Sequence, residues 1–120
     1  MENTNEYLGK EITVKMDRQL GTIHPKWGFV YCLNYGFIPN TISADGEELD
    51  AYVVGVFKPV AEYTGEVIAV IHRTNDDDDK LVVAPKGINY TDDQIRALTE
   101  FQEKFFESVI YRNNQKEMSR

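Results

Sequence analysis

Apolar and polar positions alternate from Glu11 to Met16 (Glu-Ile-Thr-Val-Lys-Met), the period-two pattern of a strand with one face in water. Arg18 to Gly28 loses that rhythm, and Gly21, Pro25 and Gly28 mark it as a loop. Phe29 to Ile42 is rich in aromatic and β-branched residues but carries Gly36 and Pro39, which predicts one bent strand or two short ones. Asp50 to Phe57 is apolar at both alternating sets, Tyr52, Val54 and Val56 on one side and Ala51, Val53 and Phe57 on the other; such a strand is covered on both faces. Thr64–His72 and Lys80–Ala84 read as two more strands joined by an acidic stretch, and Pro85 and Gly87 close the β portion. The period then changes. Thr91 and Gln94 form a capping box, Asp92 and Asp93 suit a helix N-terminus, and Ile95, Leu98, Phe101, Phe105 and Val109 recur at helical spacing, with Phe106 widening the apolar face. The pattern predicts an α+β, mostly β chain: a small antiparallel barrel or curled sheet with a C-terminal helix packed on it. Residues 1–120 form a single domain in this reading, with 1–8 and 113–120 frayed.

Composition narrows the functional classes. A hydrophobic content of 42% is ordinary for a globular chain. A formal net charge of -7 argues against general attraction to nucleic acid or an anionic membrane, although a local basic pocket or bound cations can reverse the sign of one site. No apolar run approaches the roughly 18 residues that span a bilayer, nor does the polar N-terminus resemble a signal peptide, so a cytoplasmic location is expected. Cys32 has no partner for an internal disulfide and no metal-ligand spacing around it; the expectation is a small buried residue between Tyr31 and Leu33.

The chemistry lies in two acidic runs. Asp45, Glu47, Glu48 and Asp50 crowd the mouth of an apolar strand, where like charges repel and desolvation costs more still. Asp76–Asp79 lies between two later strands, at one end of the same sheet. If the two ends coincide, the oxygen-rich, thiol-free and histidine-free donors suit magnesium, manganese or calcium better than zinc or copper. Taken singly, each run reads more readily as a solvated turn than as a metal site. An EF-hand is excluded by Gly46 immediately after Asp45 and by the absence of flanking helical patterns. Lys80 directly follows the second run, Lys15, Arg18, His24 and Lys26 lie in or beside the N-terminal loop, and Tyr31 and Tyr35 lie on the next strand. Carboxylates holding cations, ringed by Lys, Arg and Tyr, describe a site for a phosphate-rich anion.

"NYGFIP", "DGEELDAYVVG" and "DDDDKLVVAP", in that order, resemble the magnesium-dependent soluble inorganic pyrophosphatases. Asp45, Glu47 and Asp50 match the family's acidic signature, with Glu47 where the family usually has Asp. Asp78, Asp79, Lys80 and Leu81 match its later element, and an earlier loop aspartate of the family falls near Asn75 or Asp76. Tyr35 matches an active-site tyrosine. The resemblance covers Tyr31 to Pro85 well and the helix more loosely. It implies a five-stranded barrel of oligonucleotide-binding-like topology, Mg2+ (or Mn2+) as cofactor, and hydrolysis of pyrophosphate to two phosphates. It further implies Asp45, Asp50, Asp76 and Asp78 as metal ligands sharing a bridging water, Glu47 as general base, and Lys80 and Tyr35 against the departing phosphate. The chain is shorter than the usual bacterial members. Their N-terminal Lys, Glu and Arg have no clean match, and Lys15, Arg18, His24 and Lys26 are the candidates to stand in. A family Tyr-Lys pair falls on Val109 and Ile110, with Tyr111 and Arg112 two residues further on.

Two other classes are compatible with these residues: a metal-dependent hydrolase of another small diphosphate or nucleotide derivative, and a non-catalytic barrel module. Net acidity and the lack of an aromatic-plus-basic stripe count against nucleic acid as partner. Self-association into a homo-oligomer is left open.

Overall fold

The computed structural model describes residues 4–42, 46–75 and 78–113. Six strands form in chain order: β1 (Glu11–Arg18), β2 (Asn34–Ile38), β3 (Leu49–Val53), β4 (Glu62–Arg73), β5 (Asp78–Ala84) and β6 (Ser108–Tyr111), with helix α1 (Asp92–Glu103) between the last two. Pairing runs β1-β2-β3-β5-β4, and β4 returns to β1, so five strands close a ring. Four of its pairings are antiparallel, while β3 and β5 run parallel in the register Asp50↔Lys80. β6 joins outside the ring, against the C-terminal half of β4.

Strand alternation separates two apolar layers. Val14, Ile38, Leu49, Ala51, Val53, Val67, Val70, Leu81 and Val83 fill the ring. The intervening positions Tyr52, Val54, Ala69, Ile71, Val82 and Ala84 face outward and pack with Ile95 of α1. A register shift between Val67 and Ala69 lets β4 serve both layers. α1 starts as its sequence dictates: the Thr91 hydroxyl accepts the Gln94 N–H at 3.1 Å, and the Gln94 side chain accepts the Thr91 N–H at 2.8 Å. Ahead of β1, Thr4–Tyr7 form a 3₁₀ turn, and the Thr4 hydroxyl donates to the Asp79 carboxylate.

Several boundaries differ from the sequence pattern. The helix ends at Glu103 rather than continuing through Val109. Phe105 and Val109 are exposed, and Ser108–Tyr111 pairs with Val70–Arg73 as a strand. Tertiary pairing of β-branched Val109 and Ile110 outweighs an apolar spacing that a helix would also satisfy. β3 stops at Val53; Gly55 follows at φ 81° and Phe57 is exposed, so only the first half of Asp50–Phe57 is covered on both faces. Cys32 is exposed rather than buried, because Tyr31 and Leu33 on either side of it point inward.

Gly36 sits inside β2 instead of breaking it. A Cβ there would lie 2.0 Å from the Lys15 carbonyl oxygen and 2.7 Å from Met16 Cα, so only glycine permits β1 and β2 to approach. Gly36→Ala is therefore expected to cost about 3 kcal/mol, roughly 10 °C in thermal midpoint. A near-wild-type midpoint by circular dichroism would show that the two backbones are not so close.

Candidate functional site

The parallel β3–β5 pair decides what meets at the open end of the outer layer. Asp50 opens β3, Asp78 and Lys80 open β5, and period two puts all three on the face that carries Tyr52 and Val82 further along. Lys80 is 3% exposed, and its Nζ lies 2.5 Å from Asp50 Oδ2 and 2.9 Å from Asp78 Oδ2. One ammonium thus bridges carboxylates from adjacent strands. The Tyr35 ring from β2 lies 5.8 Å from the same nitrogen. Burial first, and then the charge of Asp50, push the Tyr35 phenol well above its ordinary 10.0, so it remains a neutral donor.

A second set of groups supports the first. The guanidinium of Arg73, at the end of β4, meets Glu103 through two hydrogen bonds, Nε to Oε1 at 3.0 Å and Nη2 to Oε2 at 2.6 Å. Its Nη1 lies 3.9 Å from Asp78 Oδ2, and the Phe106 ring stacks 3.7 Å from its central carbon. Burial alone would lower the Arg73 pKa, but the bonds to Glu103 and that carboxylate's charge outweigh it, so the net direction is upward. Tyr52 donates to Glu103 at 2.6 Å and accepts from Gln102 at 2.7 Å, and Tyr31 donates to Gln102 at 2.8 Å. The last turn of α1 is thereby tied to the floor of the site. Of this network sequence reasoning singled out only Tyr31; it missed Arg73, Gln102 and Glu103, and also Asp17, whose carboxyl is raised from its ordinary 3.8 by partial desolvation and then by Asp50, with Arg18 and Lys80 offsetting part of the effect.

The other expected residues fall in three places. Arg18 lies near Tyr31, whose phenol feels its positive charge, and donates to the Asp17 carbonyl at 3.1 Å. His24 and Lys26 lie on the loop beyond it. The His24 ring stacks on Tyr31 with centroids 6.2 Å apart, and its Nδ1 accepts the backbone N–H groups of Lys26 and Trp27, leaving Nε2 to carry the proton of the neutral ring. Lys26 Nζ sits 4.8 Å from the Trp27 ring centroid. Glu47 is exposed just before β3. Arg112 does not join the cluster: it pairs with Asp92 at 2.6 Å and bonds Asn89, the Tyr90 carbonyl and the Ile68 carbonyl, fastening the chain end to the start of α1. Tyr111 packs against His72, on the face of β4 opposite Arg73. Asp45 and Asp76, the two remaining expected ligands, lie outside the described residues.

Asp50 and Asp78, with Asp17 beside them, present only oxygen donors, a chemistry that fits a hard divalent cation. The Lys80 ammonium between the two carboxylates marks where positive charge is required. Among the described residues no three acidic, histidine or cysteine side chains converge closely enough to hold a metal on their own.

Comparison with known proteins follows this geometry. The inorganic pyrophosphatase family profile matches residues 3–116. The inorganic pyrophosphatase of Saccharolobus solfataricus is 34% identical over 86 residues, covering 68% of this chain and 47% of the relative. That of Sulfolobus acidocaldarius is 35% identical over 88 residues, covering 68% and 46%. The chain spans about half the length of these curated relatives. The crystal structure of inorganic pyrophosphatase from Ehrlichia chaffeensis superposes with a TM-score of 0.69 at 19% identity, covering 92% of this chain and 91% of that one, a likeness of fold. Among the described residues no helix is long and apolar enough to cross a membrane.

Asp17 yields a pH prediction. Its folded-state pKa lies above 3.8, so the folded protein holds this proton more firmly than the unfolded chain. The group therefore opposes folding increasingly as pH rises past 3.8 and through the folded value, and is without effect below both. Asp17→Asn should melt higher than wild type at neutral pH in chelator, with the gap closing toward pH 4. An equal gap at all pH values would contradict the crowding by Asp50.

Proposed function

The chain belongs to the inorganic pyrophosphatase family, and on that premise we propose that it hydrolyses inorganic pyrophosphate to two phosphates with a divalent cation, Mg2+ by preference, in the cytoplasm. What supports this reading most is the convergence of Asp50, Asp78, Lys80 and Tyr35 at one end of the sheet. Magnesium bound at Asp50 and Asp78, with Asp45 and Asp76 as further ligands, would acidify a water and neutralise phosphate oxygens.

The chain's own groups divide the remaining work. With a cation held by Asp50 and Asp78, Lys80 would be free of them and would offer its ammonium to the departing phosphate. Tyr35, kept protonated by burial and by Asp50, donates a hydrogen bond to a phosphate oxygen. Glu47, exposed at the strand entrance, takes a proton from the attacking water as oxygen bonds to one phosphorus and the bridging P–O bond breaks. The bridging oxygen leaves with the second phosphate, toward the cations Arg18 and Lys26 and the Nε2–H donor of His24. Arg73 acts as a positioning residue: held by Glu103, it keeps Asp78 oriented toward Lys80. The reading does not depend on whether the chain works alone or as a homo-oligomer.

Phosphate release from pyrophosphate, with magnesium and with excess chelator, tests this directly. Turnover should require the divalent ion, and Asp50→Asn should lower it by about 100-fold, as expected for a lost ligand, while the fold survives. Full activity in chelator would remove the metal mechanism. Inactivity with every divalent ion would favour a binding module, and near-normal turnover of the variant would place the ligands elsewhere.

A further inference from the structure

A cleft of about 370 Å³ opens beside the phosphate site and shares residues with it. Tyr35 and Arg73 line it, with His24, Trp27 and Phe29 from the loop after β1, and Phe105 and Phe106 from the turn after α1. The loop and the turn touch each other, the Phe29 and Phe105 rings lying 6.1 Å apart. Hydrolysis of an inorganic anion uses no aromatic surface, and yet this surface is kept open: Trp27 is 66% exposed and Phe105 58%. Cations rim it. Lys26 Nζ stands 4.8 Å from the Trp27 ring, and Lys104 Nζ stands 5.5 Å from the Phe105 ring. On a chain of net charge -7, aromatic walls with two lysines beside them, and Tyr35 shared between the cleft and Lys80 at 5.8 Å, select a ligand with a flat ring at one end and phosphates at the other.

We propose that this cleft seats the base of a nucleoside di- or triphosphate whose phosphates lie in the site of Asp50, Asp78 and Lys80, so that nucleotides and pyrophosphate compete for one place. The placement of the phosphates rests on the function proposed above; the seating of the base rests on the cleft alone. Stacking on exposed aromatic side chains tolerates any base, because each presents a π-face, so purine and pyrimidine nucleotides bind alike in kind. Trp27, the chain's single tryptophan, lines the cleft, and its fluorescence reports the arrival of the base.

The test is a tryptophan-fluorescence titration of the whole chain in magnesium with ADP, methyl diphosphate and pyrophosphate. ADP should quench Trp27 and bind at least about fivefold more tightly than methyl diphosphate, the low end of what one stacked base contributes. Pyrophosphate should displace it. Phe105→Ala should erase most of the preference of ADP over methyl diphosphate. Should that variant fail to fold, the comparison of ligands on the wild-type protein decides. Equal binding of ADP and methyl diphosphate, or ADP binding that pyrophosphate does not displace, overturns the proposal. Turnover of pyrophosphate with no preference for ADP would overturn the cleft and leave the hydrolysis reading intact. A preference for ADP without pyrophosphate turnover would do the reverse.

Discussion

The site is organised around a buried ammonium. Lys80 reaches Asp50 and Asp78 only because β3 and β5 run side by side in parallel, so that residues 50 and 80 stand in register. At an effective dielectric constant of about 20, unit charges at about 2.5–3 Å attract by roughly 6 kcal/mol in gross terms. Desolvating each ion costs several kcal/mol in return. The triad is therefore close to balance, a useful property in the proposed site, where a divalent cation would take the place of the ammonium. It also explains how Asp50 can sit at the entrance of a buried strand: a positive group lies against it, supplied from thirty residues away by strand pairing.

The second constraint is the coupling of α1 to the ring. Ile95 anchors the helix at its start, and the Arg73–Glu103–Tyr52–Gln102–Tyr31 network anchors its end. These polar side chains replace what would otherwise be core. Each is paired, and among the described residues no buried side-chain nitrogen or oxygen lacks a partner. The network lies directly under Asp78 and lines the aromatic cleft, so the packing of the helix and the geometry of the site are one problem.

The strands, the capping box and the half of the site formed by Asp50, Asp78, Lys80 and Tyr35 were legible in the sequence, because each is encoded within a few residues. Asp17, Arg73, Gln102 and Glu103 were not, since only the ring's closure brings them together. Signals for two of them exist. Arg73 continues the outward-facing series Ala69, Ile71, and Gln102 falls seven residues after Ile95 on the helix's core-facing stripe; a polar group at such a position implies a buried partner. The helix end was concealed for a different reason. Phe105 and Val109 keep helical spacing, and only the free edge of β4 turns that segment into β6. Tyr111 and Arg112 consequently point away from the Asp50–Asp78–Lys80 cluster, because a strand there presents different faces from a helix.

The central claim is that Lys80 occupies the place of the divalent cation. Thermal unfolding of the wild type and of Lys80→Met across a magnesium titration tests it most directly. Without metal, the variant leaves carboxylates uncompensated and should lose about 3–5 kcal/mol, the usual cost of breaking a buried pair. Magnesium should then stabilise the variant at lower concentration and by more than it stabilises the wild type, because no ammonium competes for the carboxylates. An unchanged metal-free midpoint, or equal magnesium increments in the two proteins, would contradict the account.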